Sequence, residues 1–575
     1  MTPPPARVTR VNGPVVHLAG LDDVVRFEFV EVGEQHLPAE IISVERHHAV
    51  AQVYEYTGGL CVGAPARATG LPLTVELGPG LLGGIYDGLL RPLDGVEEFL
   101  PPRRLIRPPT TRHRFTPTTT SGTDMTAGDL LGTIPVGGGL EHRVLVPPGV
   151  SGPLEHLASL GEYDSTDTIA TIADQEISLT SEWPIRQPRP YRHRHVDREP
   201  FVTGQRVLDI VEPIAKGSSA TVIGGFGEGK TMLLEQLAKW GDADIIIYVG
   251  CGERGNELAD LIDELTQLVD PHTGRRLMER TIILANTSNM PVMAREASIY
   301  SAVSVAEFYR DMGYHAVIIA DSTSRWAEAQ RELAGRTGAI PAEQGYPADL
   351  PAALAAFYQR AGRVVTSSGR DGTVTIVTSV SPPGGDVTEP VSAHTQRFVQ
   401  AVWSLDRDLA YARHYPAVSW QGSFSRDIEG VARWHAANGD PDWAVRRARL
   451  QSLLAESVRL QGIADLVGLA AMPTLERMVL LAARLARVAV LQQSALSVND
   501  ASCSLSKQAA LAQAVLDVFD TATELVRASV PATVLEDVDY GPLLRAKETA
   551  DRDDADCVTG ITADLIAHMK KLEPR

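Results

Sequence analysis

The sequence has few cysteines and lacks a long apolar run. Its four cysteines are far apart along the chain, at Cys61, Cys251, Cys503 and Cys557. This excludes the close ligand spacing of a zinc site and gives no disulfide framework, so we expect free thiols. Because no apolar run approaches the ~20 residues of a membrane span, and the N-terminus lacks the apolar core of a signal peptide, we expect a cytoplasmic protein.

Positive charge is also scarce. The 53 Lys and Arg residues are outnumbered by 72 Asp and Glu residues, for a net charge of −19. This balance argues against broad binding to nucleic acid or to anionic membranes, and we expect no nucleic-acid partner. An anionic ligand would therefore need a local pocket of positive charge.

The most specific motif lies near the middle of the chain. A β-branched run at 219–223 leads into a glycine-rich turn and then into apolar residues at helical spacing up to Trp240, which predicts a strand, a tight turn and a helix. The turn and the start of the helix consist of Gly224, Gly225, Phe226, Gly227, Glu228, Gly229, Lys230, Thr231 and Met232. Backbone N–H groups of such a turn bind phosphate, while Lys230 reaches the β- and γ-phosphates and Thr231 offers a hydroxyl to Mg²⁺. The alternative is a glycine-rich turn without a ligand, and the strand and helix on either side argue against it.

Four further β-branched runs follow this motif, at 245–249, 281–285, 316–320 and 373–377. Helical patterns between them predict repeated βα units and a buried parallel sheet, whose ligands bind beyond the carboxyl ends of the strands. Asp321 ends the third run, where its carboxylate could hold the water shell of Mg²⁺. Glu253 follows the first run and is a candidate for orienting an attacking water, although a solvated turn fits its position equally well.

The N-terminal third has a different pattern. Short strand-like runs separated by turns predict a small β-barrel or sandwich, and they lie at 15–18, 24–30 and 49–54. The region 108–190 is rich in Thr, Pro and Gly and lacks helical periodicity, which predicts a β-rich insertion. It ends in a proline-rich segment, 184–190, that we interpret as an extended linker.

Two further segments frame the expected nucleotide region. Arg192 to His195 alternates arginine and histidine, but only Asp197 is near enough in sequence to join them as a metal ligand. A solvated basic strand is the better interpretation. Beyond Asp427, the patterns at 444–460 and 476–491 are rich in Ala and Leu, and they predict a helical C-terminal domain.

Together these motifs resemble the catalytic A subunit of V-type and archaeal-type rotary ATPases, a family similar to the β subunit of F-type ATP synthases. Besides the phosphate loop, the matching segments are 83–93, 251–257, 320–329, 345–347, 380–386 and 414–420. The insertion corresponds in position to the bulge domain that distinguishes the V-type A subunit from the F-type β subunit.

The resemblance implies a multidomain α/β fold with four domains. These are an N-terminal β-barrel at 1–72, a RecA-like P-loop nucleotide-binding domain with a parallel sheet at 73–107 and 191–426, a β-rich bulge insertion at 108–190, and a C-terminal helical domain at 427–575. It also implies an enzyme that interconverts ATP with ADP and phosphate, using Mg²⁺, and that couples this reaction to proton or sodium transport.

Residue roles follow from the resemblance position by position. Glu253 matches the catalytic glutamate that positions the attacking water, and Arg254 matches the arginine beside it. Asp321 matches the acidic residue near Mg²⁺, and Arg325 matches an arginine that senses the γ-phosphate. Tyr415 matches the aromatic residue that packs on adenine.

The implied partners are B subunits, which alternate with this chain in a ring of three A and three B subunits. The ring surrounds a central shaft, is held by a peripheral stalk, and is attached to an ion-conducting membrane sector at the cytoplasmic face. In the family the B subunit donates an arginine finger, so we expect catalysis to need this partner.

Two other functions fit parts of the sequence. A homohexameric RecA-like motor, such as a secretion-system ATPase or a helicase, would share the nucleotide motifs, but the insertion argues against it. A non-catalytic nucleotide-binding scaffold like the B subunit would be expected to lose catalytic groups. This chain retains Lys230, Thr231, Glu253 and Asp321.

The sequence departs from the family pattern at two positions. Position 228 in the phosphate loop is Glu, where the family has a small residue or Cys, so a carboxylate is placed close to the phosphates. Leu496 stands where an aromatic residue is usual in the adenine pocket. Both departures leave the catalytic groups in place.

Overall fold

The computed structural model describes residues 6–21, 23–45, 48–94, 112–270, 273–338 and 340–572. The chain forms two compact units, each assembled from three segments. The first unit comprises Met1–Val196, Lys216–Ser219 and Ala243–Val399, and the second comprises Asp197–Ala215, Ala220–Asp242 and Gln400–Arg575. The expected boundary between residues 107 and 108 lies outside the described residues.

In the first unit, the N-terminal strands form an antiparallel six-stranded sheet in the order β1-β2-β5-β4-β3-β6. The strands are β1 Arg7–Asn12, β2 Val15–Ala19, β3 Glu28–Val32, β4 Leu37–Glu45, β5 His48–Val53 and β6 Ala66–Pro72. The sheet closes on itself, since the Val8 N–H donates to the Ala64 carbonyl at 2.9 Å, just before β6. Its interior is filled by apolar side chains such as Val16, Leu18 and Val30. The predicted N-terminal β-barrel is confirmed.

One strand of the barrel begins later than the sequence pattern predicts. The pattern predicts a strand at 24–30, but β3 starts at Glu28. Phe27 has a φ of 71°, which lies outside the extended region, so the chain turns there before it joins the sheet. Arg26 lies over the Phe27 ring at 4.6 Å, and Arg186 does so at 4.8 Å.

The region after the barrel consists of strands and short turns. The next strands along the chain are β7 Thr74–Leu77, β8 Ile85–Tyr86, β9 His113–Pro117, β10 Asp124–Met125, β11 Leu130–Pro135, β12 Glu141–Leu145, β13 Gly152–Leu157, β14 Gly161–Tyr163, β15 Thr168–Ile172, β16 Gln175–Ser178 and β17 Ser181–Pro184. Two four-stranded sheets, β10-β13-β15-β16 and β12-β11-β9-β14, enclose an apolar core that includes Phe115, Leu131, Leu154 and Ile169. The insertion is therefore β-rich, as the sequence predicts.

The proline-rich segment is not extended throughout: it leaves β17 through a turn in which the Gln187 N–H donates to the Pro184 carbonyl at 3.1 Å. Its arginines anchor it. Arg186 donates to Glu40 of the barrel at 2.7 Å and to Glu296 at 2.8 Å. Arg189 donates to Asp311 at 2.7 Å. These bonds hold the segment in place within the first unit.

The middle of the chain alternates strands and helices. Its elements are β18 His193–Arg194, β19 Ser219–Ile223, α1 Lys230–Trp240, β20 Ile245–Glu253, α2 Gly255–Gln267, β21 Thr281–Thr287, α3 Val292–Asp311, β22 His315–Asp321, α4 Thr323–Thr337, α5 Leu350–Tyr358, β23 Gly362–Val365, β24 Asp371–Val380, α6 Pro390–Phe398, β25 Ala401–Ser404 and α7 Arg407–Tyr411. In the first unit, β24, β22, β20, β21 and β8 are parallel neighbours in this order. The predicted parallel sheet is confirmed, and the middle of its long strands is buried on both faces and rich in apolar residues.

Two features complete the first unit. Every residue of α3 after Val292 is buried, so this helix is a core element. The predicted basic strand around His193 exists as β18, which is exposed and pairs with β23. Across the described ranges, no helix is both long and apolar enough to cross a bilayer.

The second unit contains the phosphate-loop strand and the C-terminal helices. In it, β19 pairs in parallel with β25, which pairs antiparallel with β26 Phe424–Ser425. The remaining helices are α8 Ile428–Ala437, α9 Trp443–Val467, α10 Thr474–Leu485, α11 Leu505–Arg527, α12 Ala532–Glu536, α13 Gly541–Thr549 and α14 Ala555–Met569. The helix predicted at 476–491 is divided, because a wide helical turn, Ala486–Leu491, follows α10. The predicted helical C-terminal domain is confirmed.

Candidate functional site

The glycine-rich loop in the second unit has the backbone of a phosphate cradle. It joins β19 to α1, and Gly229 immediately precedes the first helical residue, Lys230. Gly227 and Gly229 have φ values of 81° and 95°, a conformation that favours glycine. The start of α1 lies at this loop, where the backbone N–H groups and the positive end of the helix dipole favour an anion.

Two charged side chains bond to the loop itself. The Lys230 ammonium is buried and donates to the carbonyls of Gly224 and Gly225 at 2.9 and 2.6 Å. The Glu228 carboxylate accepts the N–H of Gly225 at 2.6 Å. The loop thus has a cation and an anion of its own at the same two glycines.

A cleft of about 590 Å³ opens beside the loop in the second unit. Gly227, Gly229 and Met232 line it together with Tyr415 and Leu496. The Tyr415 ring packs against Gly229, where an added methyl group would lie 3.6 Å from the ring. The structure therefore brings the predicted adenine residues to one cleft with the loop. The Leu496 side chain is 98% exposed, so it covers little of this cleft.

The wall that holds Leu496 is fixed by cations that sequence reasoning missed. The buried Arg206 forms an ion pair with Asp500 at 2.7 Å, and its backbone N–H donates to the side chain of Gln493 at 2.9 Å. The Lys547 ammonium donates to the carbonyls of Val488 and Gln492 at 2.7 and 3.0 Å. These partners are far apart in the sequence and share no motif, so local pattern gives no signal for them.

The residue before Tyr415, His414, is uncharged. Burial, with Lys547 and Arg487 nearby, lowers the pKa of His414 to about 4. The ring is therefore neutral near pH 7. The Tyr415 carbonyl accepts the N–H of Gln493 at 2.8 Å, which ties the Tyr415 segment to the wall that holds Leu496.

The two predicted acidic residues end neighbouring strands of the first unit. Asp321 is the last residue of β22, is buried, and accepts a hydrogen bond from the Ser379 hydroxyl at 2.5 Å. Glu253 is the last residue of β20, beyond an irregularity in pairing after Cys251. Gly252 has a φ of 75° at this point, so the strand bends before Glu253, as bulged strands do near functional sites.

The two predicted arginines lie close to these strand ends. Arg325, in the first turn of α4, donates to Glu328 at 2.9 Å. This hydrogen bond is the main cause that raises the pKa of Arg325, and the charge of Glu253 adds to it. Arg254 precedes α2, is largely exposed, and lies 3.6 Å from Glu257. The first unit therefore presents carboxylates and guanidinium groups near the carboxyl ends of adjacent parallel strands.

A strand, a glycine loop and a helix that begins with Lys and Thr define the chain as a P-loop nucleotide-binding protein. Sequence models of known protein families match it along most of its length and show its family. They are the "ATP synthase alpha/beta family, beta-barrel domain" at 8–70, the "ATPsynthase alpha/beta subunit barrel-sandwich domain" at 108–186, the "ATP synthase alpha/beta family, nucleotide-binding domain" at 204–425 and the "C-terminal domain of V and A type ATP synthase" at 432–534. The chain belongs to the ATP synthase alpha/beta family, in its V-type and A-type branch.

Curated relatives agree with this assignment over most of the chain. The V-type ATP synthase alpha chain of Nitrosococcus oceani is 48% identical over 542 residues, which is 92% of each chain. The V-type ATP synthase alpha chain of Thermoanaerobacter pseudethanolicus is 45% identical, again over 92% of each chain. An A-type ATP synthase subunit of Methanopyrus kandleri is 46% identical over 91% of each chain.

A solved structure has the same fold at low sequence identity. The ATPase EscN from the type III secretion system of enteropathogenic E. coli has a TM-score of 0.65 and is 19% identical. The match covers 89% of this chain and all of that chain. At this identity the likeness shows the fold alone.

Proposed function

We propose that the chain is the catalytic nucleotide-binding subunit of a V/A-type rotary ATPase, which interconverts ATP with ADP and phosphate. The strongest support is that this chain, a member of the family, has a complete phosphate loop with Lys230. It also has acidic residues at the ends of β20 and β22. A non-catalytic scaffold would not need Glu253 and Asp321 at these strand ends.

Nucleotide binding is assigned to the second unit. The N–H groups of the loop and the Lys230 ammonium bind the phosphates, and the cleft with Tyr415 and Leu496 receives the adenine. Thr231 of this unit offers a hydroxyl oxygen that suits Mg²⁺. Asp321, which belongs to the first unit and is oriented by Ser379, offers a carboxylate oxygen that suits the water shell of Mg²⁺. When bound, Mg²⁺ would neutralise part of the negative charge on the phosphates.

Hydrolysis is assigned to the charged groups of the first unit. Glu253 orients the water that attacks the γ-phosphate and accepts its proton. Arg325 and Arg254 stabilise the negative charge that develops on the phosphoryl oxygens. Glu253 lies near Arg325, because its negative charge contributes to the raised pKa of that arginine.

The assembly is proposed from the family. The chain alternates with B subunits in a ring of three and three around a central shaft, with a peripheral stalk and a membrane sector that conducts protons or sodium ions. The ring lies at the cytoplasmic face of the membrane. The barrel-sandwich match at 108–186 and the V/A-type C-terminal match favour this assembly over a homohexameric secretion ATPase.

The direct test is Lys230→Ala in the assembled ring. Loss of a buried cation that faces the phosphates should abolish turnover and weaken Mg·ATP binding. Lys239→Ala is the matched control, because Lys239 lies at the opposite end of the same helix over the Trp240 ring. Wild-type hydrolysis by Lys230→Ala would exclude the loop as the catalytic phosphate site.

A further inference from the structure

Glu228 is the feature of the phosphate loop that the function above does not explain. Its side chain folds back over the two glycines that begin the loop. Oε2 accepts the Gly225 N–H at 2.6 Å. An added methyl group on Gly224 would lie 2.8 Å from Oε2, and one on Gly225 would lie 2.6 Å from Oε1. The carboxylate therefore fills the space directly against both glycines.

This position conflicts with an anionic ligand in the loop. A phosphate is bound by backbone N–H groups that converge on it, and Glu228 already takes one N–H of the loop. Lys230 bonds to the carbonyls of the same two glycines. The negative charge of Glu228 therefore offsets the positive charge of Lys230, which would otherwise attract a phosphate. Two anions at such short range repel each other.

A second cation offers the carboxylate another position. Arg407, at the start of α7, is exposed and donates from Nε and Nη2 to the Tyr411 hydroxyl at 2.9 and 2.7 Å. This bond is the main cause that raises the pKa of Arg407, and the negative charge of Glu228 contributes as well. Leu405, two residues before Arg407, lies against the loop, since an added methyl group on Gly224 would lie 2.9 Å from its Cβ. The start of α7 is therefore beside the loop that carries Glu228.

We propose that Glu228 is a built-in competitor of phosphate in the loop, and that nucleotide binding moves its carboxylate away from Gly225 towards Arg407. The inference rests on the proposed function, because it takes the loop as the site of the nucleotide phosphates. Glu228 acts on the affinity of the site for phosphate groups and takes no part in the chemical step. A loop of this kind binds nucleotide more weakly than one with a small residue at position 228.

The test is equilibrium binding by the full chain, with inorganic pyrophosphate and Mg·ATP as probes. Glu228→Gln removes the charge but keeps an acceptor for the Gly225 N–H, and Glu228→Ala removes both. We expect both variants to bind each probe about tenfold more tightly, the order of effect seen for neighbouring coupled groups. Asp408→Asn, which changes an exposed carboxylate next to Arg407, is the matched control and should leave both affinities unchanged.

A double-mutant cycle identifies the role of Arg407. Arg407→Gln should weaken binding of both probes in the wild-type background and have no effect in the Glu228→Gln background. Equal weakening in both backgrounds would exclude Arg407 as the alternative partner. If neither Glu228 variant binds more tightly than wild type, the competitor role is wrong. Wild-type affinity for Mg·ATP in Lys230→Ala would instead overturn the proposed function itself, so the two failures are distinguishable.

Discussion

The position of Glu253 makes a sharp prediction at the scale of a single residue. Glu253→Gln removes a proton acceptor but keeps the size of the side chain, so nucleotide binding should persist while hydrolysis falls by about 10² or more. The measurement is kcat and the dissociation constant of Mg·ATP in the assembled ring. Asp260→Asn, which changes an exposed carboxylate on α2, should leave both near wild type. Equal losses in binding and rate would make Glu253 a structural residue.

Leu496 makes a second residue-scale prediction, about base selectivity. A leucine offers apolar area but not the ring stacking that an aromatic wall opposite Tyr415 would give, which is worth ~0.5 to 1.5 kcal/mol. We therefore expect weak discrimination between ATP and GTP, and Leu496→Phe should raise the ATP preference by about twofold to tenfold. The measurement is kcat/KM for both nucleotides in the assembled ring. An unchanged ratio would show that position 496 does not contact the base.

Residue-scale prediction from sequence works where a motif is local. The glycine spacing with Lys230 indicates the loop because the residues that make it are consecutive. The resemblance places Tyr415 and Leu496 in one pocket, and they line one cleft. Arg206 and Lys547 fix the wall of this cleft by donating to the backbone carbonyls of Val490 and Gln492, and of Val488 and Gln492. They could not be found this way, because bonds to distant backbone carbonyls leave no pattern in the sequence.

At the scale of elements, the sequence predicts strands better than their interruptions. The four β-branched runs correspond to β20, β21, β22 and β24, since a strand buried on both faces carries a run of apolar residues. The bend at Gly252 and the turn at Phe27 depend on φ values that hydrophobic pattern does not encode. Similarly, the proline content predicts an extended segment after β17, but the chain turns there at 184–187. The anchoring of the segment depends on pairs such as Arg186 with Glu296, which lie far apart in the sequence.

The anchoring of that segment gives a prediction about stability. Burial lowers the pKa of Arg186, but the carboxylates of Glu296 and Glu40 outweigh it and raise the pKa above its ordinary value. Arg186→Met would remove the cation that pairs with two buried carboxylates, and such a loss costs about 3 to 5 kcal/mol. The measurement is the temperature of the first thermal unfolding transition, which should fall clearly.

Arg26→Met is the control for this experiment. Arg26 lies 3.8 Å from Asp349 in a pair whose side chains are 59% and 62% exposed, and such pairs contribute little. Its transition should therefore match wild type. Adding Glu40→Gln and Glu296→Gln to Arg186→Met should restore part of the loss, because no buried charge then remains at the site. Unfolding of Arg186→Met at the wild-type temperature would show that the ion pairs of Arg186 with Glu40 and Glu296 do not stabilise the fold.

At the scale of the whole molecule, the family assignment makes this chain one part of a larger catalyst. The proposed roles give it the phosphate loop, the acidic residues and two arginines, while the arginine finger is expected from the neighbouring B subunit. An arginine supplied in trans is worth ~10³ to 10⁵ in the rate of related phosphoryl transfers. The isolated chain should therefore bind nucleotide but hydrolyse it slowly.

The most direct test of the account is the steady-state rate of ATP hydrolysis by the purified chain, measured alone and after addition of its B partner. The account predicts a very slow rate alone and a gain of about 10³ or more with the partner. Lys230→Ala in the same mixture should remove the gain, because it disables the loop of this chain and leaves the partner unchanged. Full activity from a homo-oligomer of this chain would contradict the account and favour a homohexameric motor.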